Sequence, residues 1–142
     1  MDLMRHDLQR FAAAQDSGGT YERALAELRA GRKSSHWMWF VFPQRAGLGQ
    51  SEMSRTYAIA SPQEARDYLA HPVLGPRLIA CSRALLEHEG KSAVEILGAI
   101  DAAKLRSSMT LFAGVAPEQP VFGQVLERYF EGEADPATTS WL

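Results

Sequence analysis

Cysteine is nearly absent. Cys81 is the only one, so the chain can form no internal disulfide, and its place on the apolar line Leu74, Leu78, Cys81, Leu85 predicts a buried, inert thiol. Long apolar runs are missing too. No stretch approaches the roughly 18 residues of a membrane span, and Met1-Asp2-Leu3-Met4-Arg5-His6 lacks the apolar core of a signal peptide, which predicts a cytoplasmic protein without membrane contact. Basic clusters are lacking: 15 Lys and Arg face 17 Asp and Glu, the formal net charge is −2, and Arg32-Lys33 is the only adjacent basic pair. Nucleic-acid binding needs cations gathered on one face and is not expected.

Metal and cofactor signatures are absent as well. His6, His36, His71 and His88 lack the i, i+4 pairing of a helical metal site, and Glu87-His88-Glu89 fits a solvated helix end. No GxGxxG, GK[ST] or GxSxG pattern occurs. Gly47-Leu48-Gly49-Gln50-Ser51 is either a plain loop leading into a capped helix or a weak anion-binding turn. No metal and no cofactor are predicted, and no nucleophile–base pair announces catalysis.

What the chain does have is regular helix punctuation. Ser17-Gly18-Gly19 breaks a first helix carrying Leu8, Phe11 and Ala12, and Thr20 stands where a second one needs a cap. Tyr21, Ala24, Leu25 and Leu28 then follow the spacing of one buried face, and Gly31 closes it. Ser61-Pro62-Gln63-Glu64 and Ser92-Ala93-Val94-Glu95 are capping boxes, and His71-Pro72 opens a longer helix ended by Gly90. Asp101 is placed to cap the helix of Leu105, Met109 and Phe112; Pro117 and Pro120 frame one bearing Phe122, Val125, Leu126 and Tyr129. Asp135-Pro136 starts a last turn or two in which Trp141 can dock. The pattern predicts an all-α fold, a compact single-domain bundle of about eight or nine short helices spanning residues 1–142.

One stretch resists this pattern. His36-Trp37-Met38-Trp39-Phe40-Val41-Phe42 is apolar and aromatic without a clear period, fitting a buried strand or a buried helix. With no other strand to pair with, a helix is favoured, ending near Val41 because Pro43 biases Phe42 away from helical angles. The segment is either a plain core element or, with His36 and Gln44-Arg45 at its two ends, an apolar lining edged by hydrogen-bonding groups. Trp37, Met38 and Phe42 fit the core; His36, Trp39 and Gln44 are the residues to test. In the Asp101–Phe112 stretch, Arg106, Ser107 and Thr110 share a face. They form either a cradle for a phosphate or carboxylate or a solvated face whose hydroxyls bond back to the preceding turn.

The run Ser35–Gln44, then Tyr57-Ala58-Ile59, then His71-Pro72-Val73-Leu74-Gly75-Pro76-Arg77-Leu78, then Asp101 with Lys104–Phe112, resembles the bacterial family catalogued as domain of unknown function 1810. The resemblance runs from about Leu8 to Phe130 and implies a compact all-helical domain; it carries no activity, cofactor or catalytic residue. Members are sometimes labelled calpastatin-like, but calpastatin is extended and disordered, whereas this chain has the apolar periodicity of a packed core.

The functional expectation is a small-ligand or nucleotide-type pocket, with or without catalysis, bringing His36, Trp39 and Gln44 together with Arg106, Ser107 and Thr110 around a small anionic ligand. Within it His36 is the only acid–base candidate, its intrinsic pKa lying near neutrality. The alternative is a non-catalytic module in which exposed Trp37, Phe40 or Trp141 anchors an unidentified protein partner or a second copy.

Overall fold

A computed structural model describes residues 7–142, and every element in it longer than an isolated bridge is helical. The helices are α1 (Gln9–Asp16), α2 (Thr20–Ala30), α3 (Met38–Val41), α4 (Glu52–Thr56), α5 (Pro62–Ala70), α6 (Leu74–Leu86), α7 (Ala93–Leu97), α8 (Ala99–Val115), α9 (Val121–Phe130) and α10 (Pro136–Trp141). A 3₁₀ turn at Ser17–Gly19 joins α1 to α2. The one ladder-like contact is a parallel bridge between Arg45 and Ile59, with Ile59 N–H donating to the Gln44 carbonyl and Ala46 N–H to the Ile59 carbonyl, both at 2.8 Å. No helix among the described residues is long and apolar enough to cross a membrane.

The longest helix, α8, is the central one. Its middle buries Leu105, Ser107, Ser108, Met109, Thr110, Leu111 and Phe112, because apolar or small residues occupy nearly its whole circumference there. Around it pack α5, α7, α9 and α10, while α6 lies against α2, α5 and α9. Tyr68 and Phe112 have ring centroids 5.5 Å apart, Phe112 and Phe122 5.7 Å, and Phe11 meets Tyr68 edge-on at 5.2 Å. These rings are wholly buried, and each aromatic contact adds about 0.5–1.5 kcal/mol to the transfer term.

Three helix starts follow the serine capping chemistry. Ser51, Ser61 and Ser92 accept backbone N–H bonds from Ser54, Glu64 and Glu95. At Ser92 the exchange is reciprocal, Ser92 N–H donating to Glu95 Oε1 at 2.8 Å. At Ser61 it is not: the Glu64 carboxylate reaches one residue further, accepting Ala60 N–H at 2.7 Å and meeting Arg10 at 3.5 Å. Two starts differ from expectation. Gly19, left-handed at φ 72°, precedes α2, and the Thr20 hydroxyl donates to the Ser17 carbonyl instead of capping. Asp101 is no cap either, since α8 begins two residues before it, after Gly98. At φ 87° and ψ 159° Gly98 occupies a region open almost only to glycine, and this sharp corner lets α8 start early, straight out of α7.

The aromatic stretch is helical for one turn, Met38–Val41, and stops where Pro43 dictates. The His71–Gly75 run has a separate job. His71 Nδ1 accepts from Val73 N–H at 3.1 Å and Leu74 N–H at 3.2 Å, satisfying the first donors of α6 and placing the ring proton on Nε2. Gly75 allows the contact that follows, since a Cβ there would run into the Leu69 carbonyl oxygen at the end of α5. Replacing His71 by Ala should therefore cost about 1 kcal/mol in urea unfolding, while His71→Asn, which keeps an acceptor, should recover most of it. Equal stability of the Ala variant and the wild type would remove this role.

Candidate ligand groove

Between α2 and α3 the chain has no regular structure, and one carboxylate holds it. Glu27, in the last turn of α2, accepts Ser34 N–H at 2.8 Å, Ser35 N–H at 3.1 Å, the Ser35 hydroxyl at 2.6 Å and the Trp37 indole N–H at 2.8 Å. Burial opposes ionisation of Glu27, but the bonds from Ser35, Ser34 and Trp37 outweigh it and lower its pKa from 4.5 to about 2. Trp37 is thereby fully buried with its indole nitrogen satisfied, as a buried tryptophan requires. The clasp turns His36 outward and leads the chain into the α3 turn that carries Trp39.

On the other side stands the corner between α7 and α8. Lys33 N–H donates to the Ile96 carbonyl at 2.7 Å, tying the loop to the end of α7. A groove of about 460 Å³ opens between them, walled by Met38, Trp39, Leu97 and Ile100 and edged by Lys33, His36 and Asp101. Asp101 accepts Lys33 Nζ at 2.9 Å and Lys104 Nζ at 3.6 Å. The same ammonium groups sit over indole rings, Lys33 at 5.1 Å from the Trp37 centroid and Lys104 at 4.9 Å from that of Trp39. No side chain caps α8, so the first N–H groups of this 17-residue helix belong to residues on the groove wall. The Trp39 indole N–H is out of solvent and has no acceptor among the described residues, an uncommon state for a buried donor.

The residues singled out from the sequence fall into three places. His36 and Trp39 line the groove; the His36 side chain is exposed, and its imidazole forms no hydrogen bond among the described residues. Gln44 lies beyond α3, where its backbone carbonyl serves the Ile59 bridge. Arg106, Ser107 and Thr110 all bond the chain's own residues 133–135, and of the three only Ser107 hydrogen-bonds a carboxylate. Ser107 Oγ donates to Asp135 Oδ2 at 3.0 Å, Thr110 Oγ1 accepts Asp135 N–H at 2.9 Å, and Arg106 donates to the Glu133 and Ala134 carbonyls at 2.8 Å each. Both hydroxyls also bond back one turn, to the Ala103 and Arg106 carbonyls. Burial disfavours the Asp135 carboxylate, yet bonds from Thr138 and Ser107 outweigh that and hold its pKa below the usual value. Arg106 lines a separate cleft with Tyr129, Phe130 and Glu133, so the geometry does not join it to His36.

The anchors of an interaction surface are mostly covered. Trp37 has no exposed area, Phe40 packs edge-on against Tyr57 at 4.7 Å, and Trp141 lies partly buried beside Arg45. Among the described residues the most exposed large apolar side chain is Ile100, 75% open on the groove wall. Burial pushes the Cys81 thiol up to about 12, which leaves it unreactive near neutrality.

Three groups that shape the groove had weak signals in the sequence: Glu27, Lys33 and the Gly98–Ile100 corner. Glu27 breaks a local rule, since a carboxylate near a helix C-terminus opposes the helix dipole. Such a conflict points to a tertiary partner. A carboxylate held below 4.5 contributes its full stabilisation above that pH and loses it as the pH falls toward about 2. Glu27→Gln should be less stable than the wild type by about 2 kcal/mol at pH 7, with the gap closing between pH 4.5 and 2. Urea unfolding at stepped pH checks this; a gap that persists unchanged to pH 2 would contradict it.

No curated protein matches the chain. Among solved structures, the conserved hypothetical protein Rv1873 from Mycobacterium tuberculosis, a crystal structure at 1.38 Å, is 46% identical. It superposes with a TM-score of 0.93, and the match covers 96% of each chain. The family described as "Protein of unknown function (DUF1810)" matches residues 5–142. Over that span the chain belongs to the DUF1810 family.

Proposed function

We propose that this protein is a small-ligand-binding domain whose site is the groove between the His36–Trp39 segment and the start of α8. One observation carries the proposal: apolar walls of Trp39, Leu97 and Ile100 meet a rim bearing Lys33, His36 and an uncapped helix end. An apolar lining with few, well-separated polar groups is the usual makeup of a small-molecule site, and about 460 Å³ lies within the usual size range. The positive end of α8 and Lys33 on the rim favour an anion. Arg106 is left out, because its guanidinium is engaged with the strap at residues 133–134.

Binding is better supported than catalysis. Of the titratable groups at the rim, Lys33 and Asp101 are paired with each other, and no second side chain among the described residues hydrogen-bonds the His36 ring to orient it. A protein-interaction role would rest on Ile100 and on Val94, which is 54% exposed, since Trp37 is unavailable as an anchor.

A thermal-shift screen of small anions tests the proposal. A ligand at ten times its dissociation constant should raise the melting temperature by roughly 4–6 °C. Ile100→Glu, which adds a carboxylate to the exposed wall at a helix start that tolerates it, should abolish the shift. Arg106→Ala should lower the starting temperature and leave the shift intact. A shift lost in Arg106→Ala and kept in Ile100→Glu would move the site away from the groove.

A further inference from the structure

The charge arrangement in the groove constrains what it can hold. Two ammonium groups, Lys33 and Lys104, converge on one carboxylate, Asp101. The three together carry one net positive charge, Lys33 and Asp101 on the rim and Lys104 behind the Trp39 ring, with the start of α8 beside them. A single negative charge is matched there; a second or third would meet the Asp101 carboxylate without a further cation to neutralise it. The walls offer no hydroxyl or amide side chain, only the apolar surfaces of Met38, Trp39, Leu97, Ala99 and Ile100. A sugar or a nucleobase edge would lose its water and gain few partners on such walls. An apolar body would cover Ile100, a side chain left 75% exposed without a ligand.

From charge and walls together we infer that the groove takes an apolar monocarboxylate, its carboxylate at Lys33 and the start of α8, its hydrocarbon or aryl body along Trp39 and Ile100. This narrows the proposed ligand site and rests on it. It also sets the nucleotide-type ligand expected from the sequence aside, since a phosphate dianion or polyphosphate brings more charge than these three side chains can neutralise. Lys104 belongs to the site through its place over the Trp39 ring, though it lies behind the wall.

Isothermal titration at low salt, with phenylacetate, octanoate, 2-phenylethanol, inorganic phosphate and AMP as probes, tests the inference on the full chain. Phenylacetate or octanoate should bind at least tenfold more tightly than phosphate, AMP or the uncharged alcohol. Ile100→Glu should weaken that binding at least tenfold, and Lys104→Gln severalfold, with melting temperature and circular dichroism verifying that both variants are folded. If 2-phenylethanol equals phenylacetate, the charge match is wrong. If AMP or phosphate binds more tightly than the carboxylates and Ile100→Glu weakens it, the ligand class is overturned while the groove stands. If none of the probes responds to Ile100→Glu, the groove falls, and the inference with it.

Discussion

The Glu27 carboxylate gathers four donors from a four-residue stretch, and the placement of the whole aromatic segment follows from that. Two of those donors are backbone N–H groups in a connection that has no ladder partner of its own. A third is the indole N–H of a tryptophan with no exposed surface. Without an acceptor these groups would each have to be desolvated unpaired, so the loop would have no reason to lie against α2. With it, Trp37 enters the core between Phe42 and Lys33, His36 faces outward, and the next turn of helix delivers Trp39 to the groove. The groove is thus shaped by a residue that does not line it.

The central helix has three distinct regions along its length. Its bare start, after the Gly98 corner, forms one wall of the groove. Its middle is core on nearly every side. Its Arg106–Thr110 face grips the segment that leads into α10, with Asp135 as the gripped carboxylate. Arg106 and Ser107 thus donate to the chain's own segment at residues 133–135. Arg45 holds α10 itself, donating to the Ala137 carbonyl at 3.2 Å.

Helix existence was legible because caps, glycines and apolar spacing agree with one another along the chain. Ser92 with Glu95, the Pro43 stop and the burial of Trp37, Met38 and Phe42 all follow from local rules. What was not legible depends on contacts far apart in sequence. Nothing near Asp101 says that Gly98 turns sharply enough to start α8 early and leave Asp101 facing two lysines. Nothing near Arg106 announces that residues 133–135 return to occupy it. Of the expected set, His36 and Trp39 meet at one groove because they lie three residues apart on a clasped segment. Gln44 and Arg106 stand elsewhere, drawn to the Ile59 bridge and the strap.

The central claim is a division within one short segment: Glu27 fixes Trp37, while Trp39 meets the ligand. The chain's three tryptophans provide three separate indole N–H resonances in a nitrogen–proton correlation spectrum. Titrating phenylacetate should shift the Trp39 signal progressively and leave those of Trp37 and Trp141 in place. A titration that moves Trp37 or Trp141 while Trp39 stays still would contradict the account.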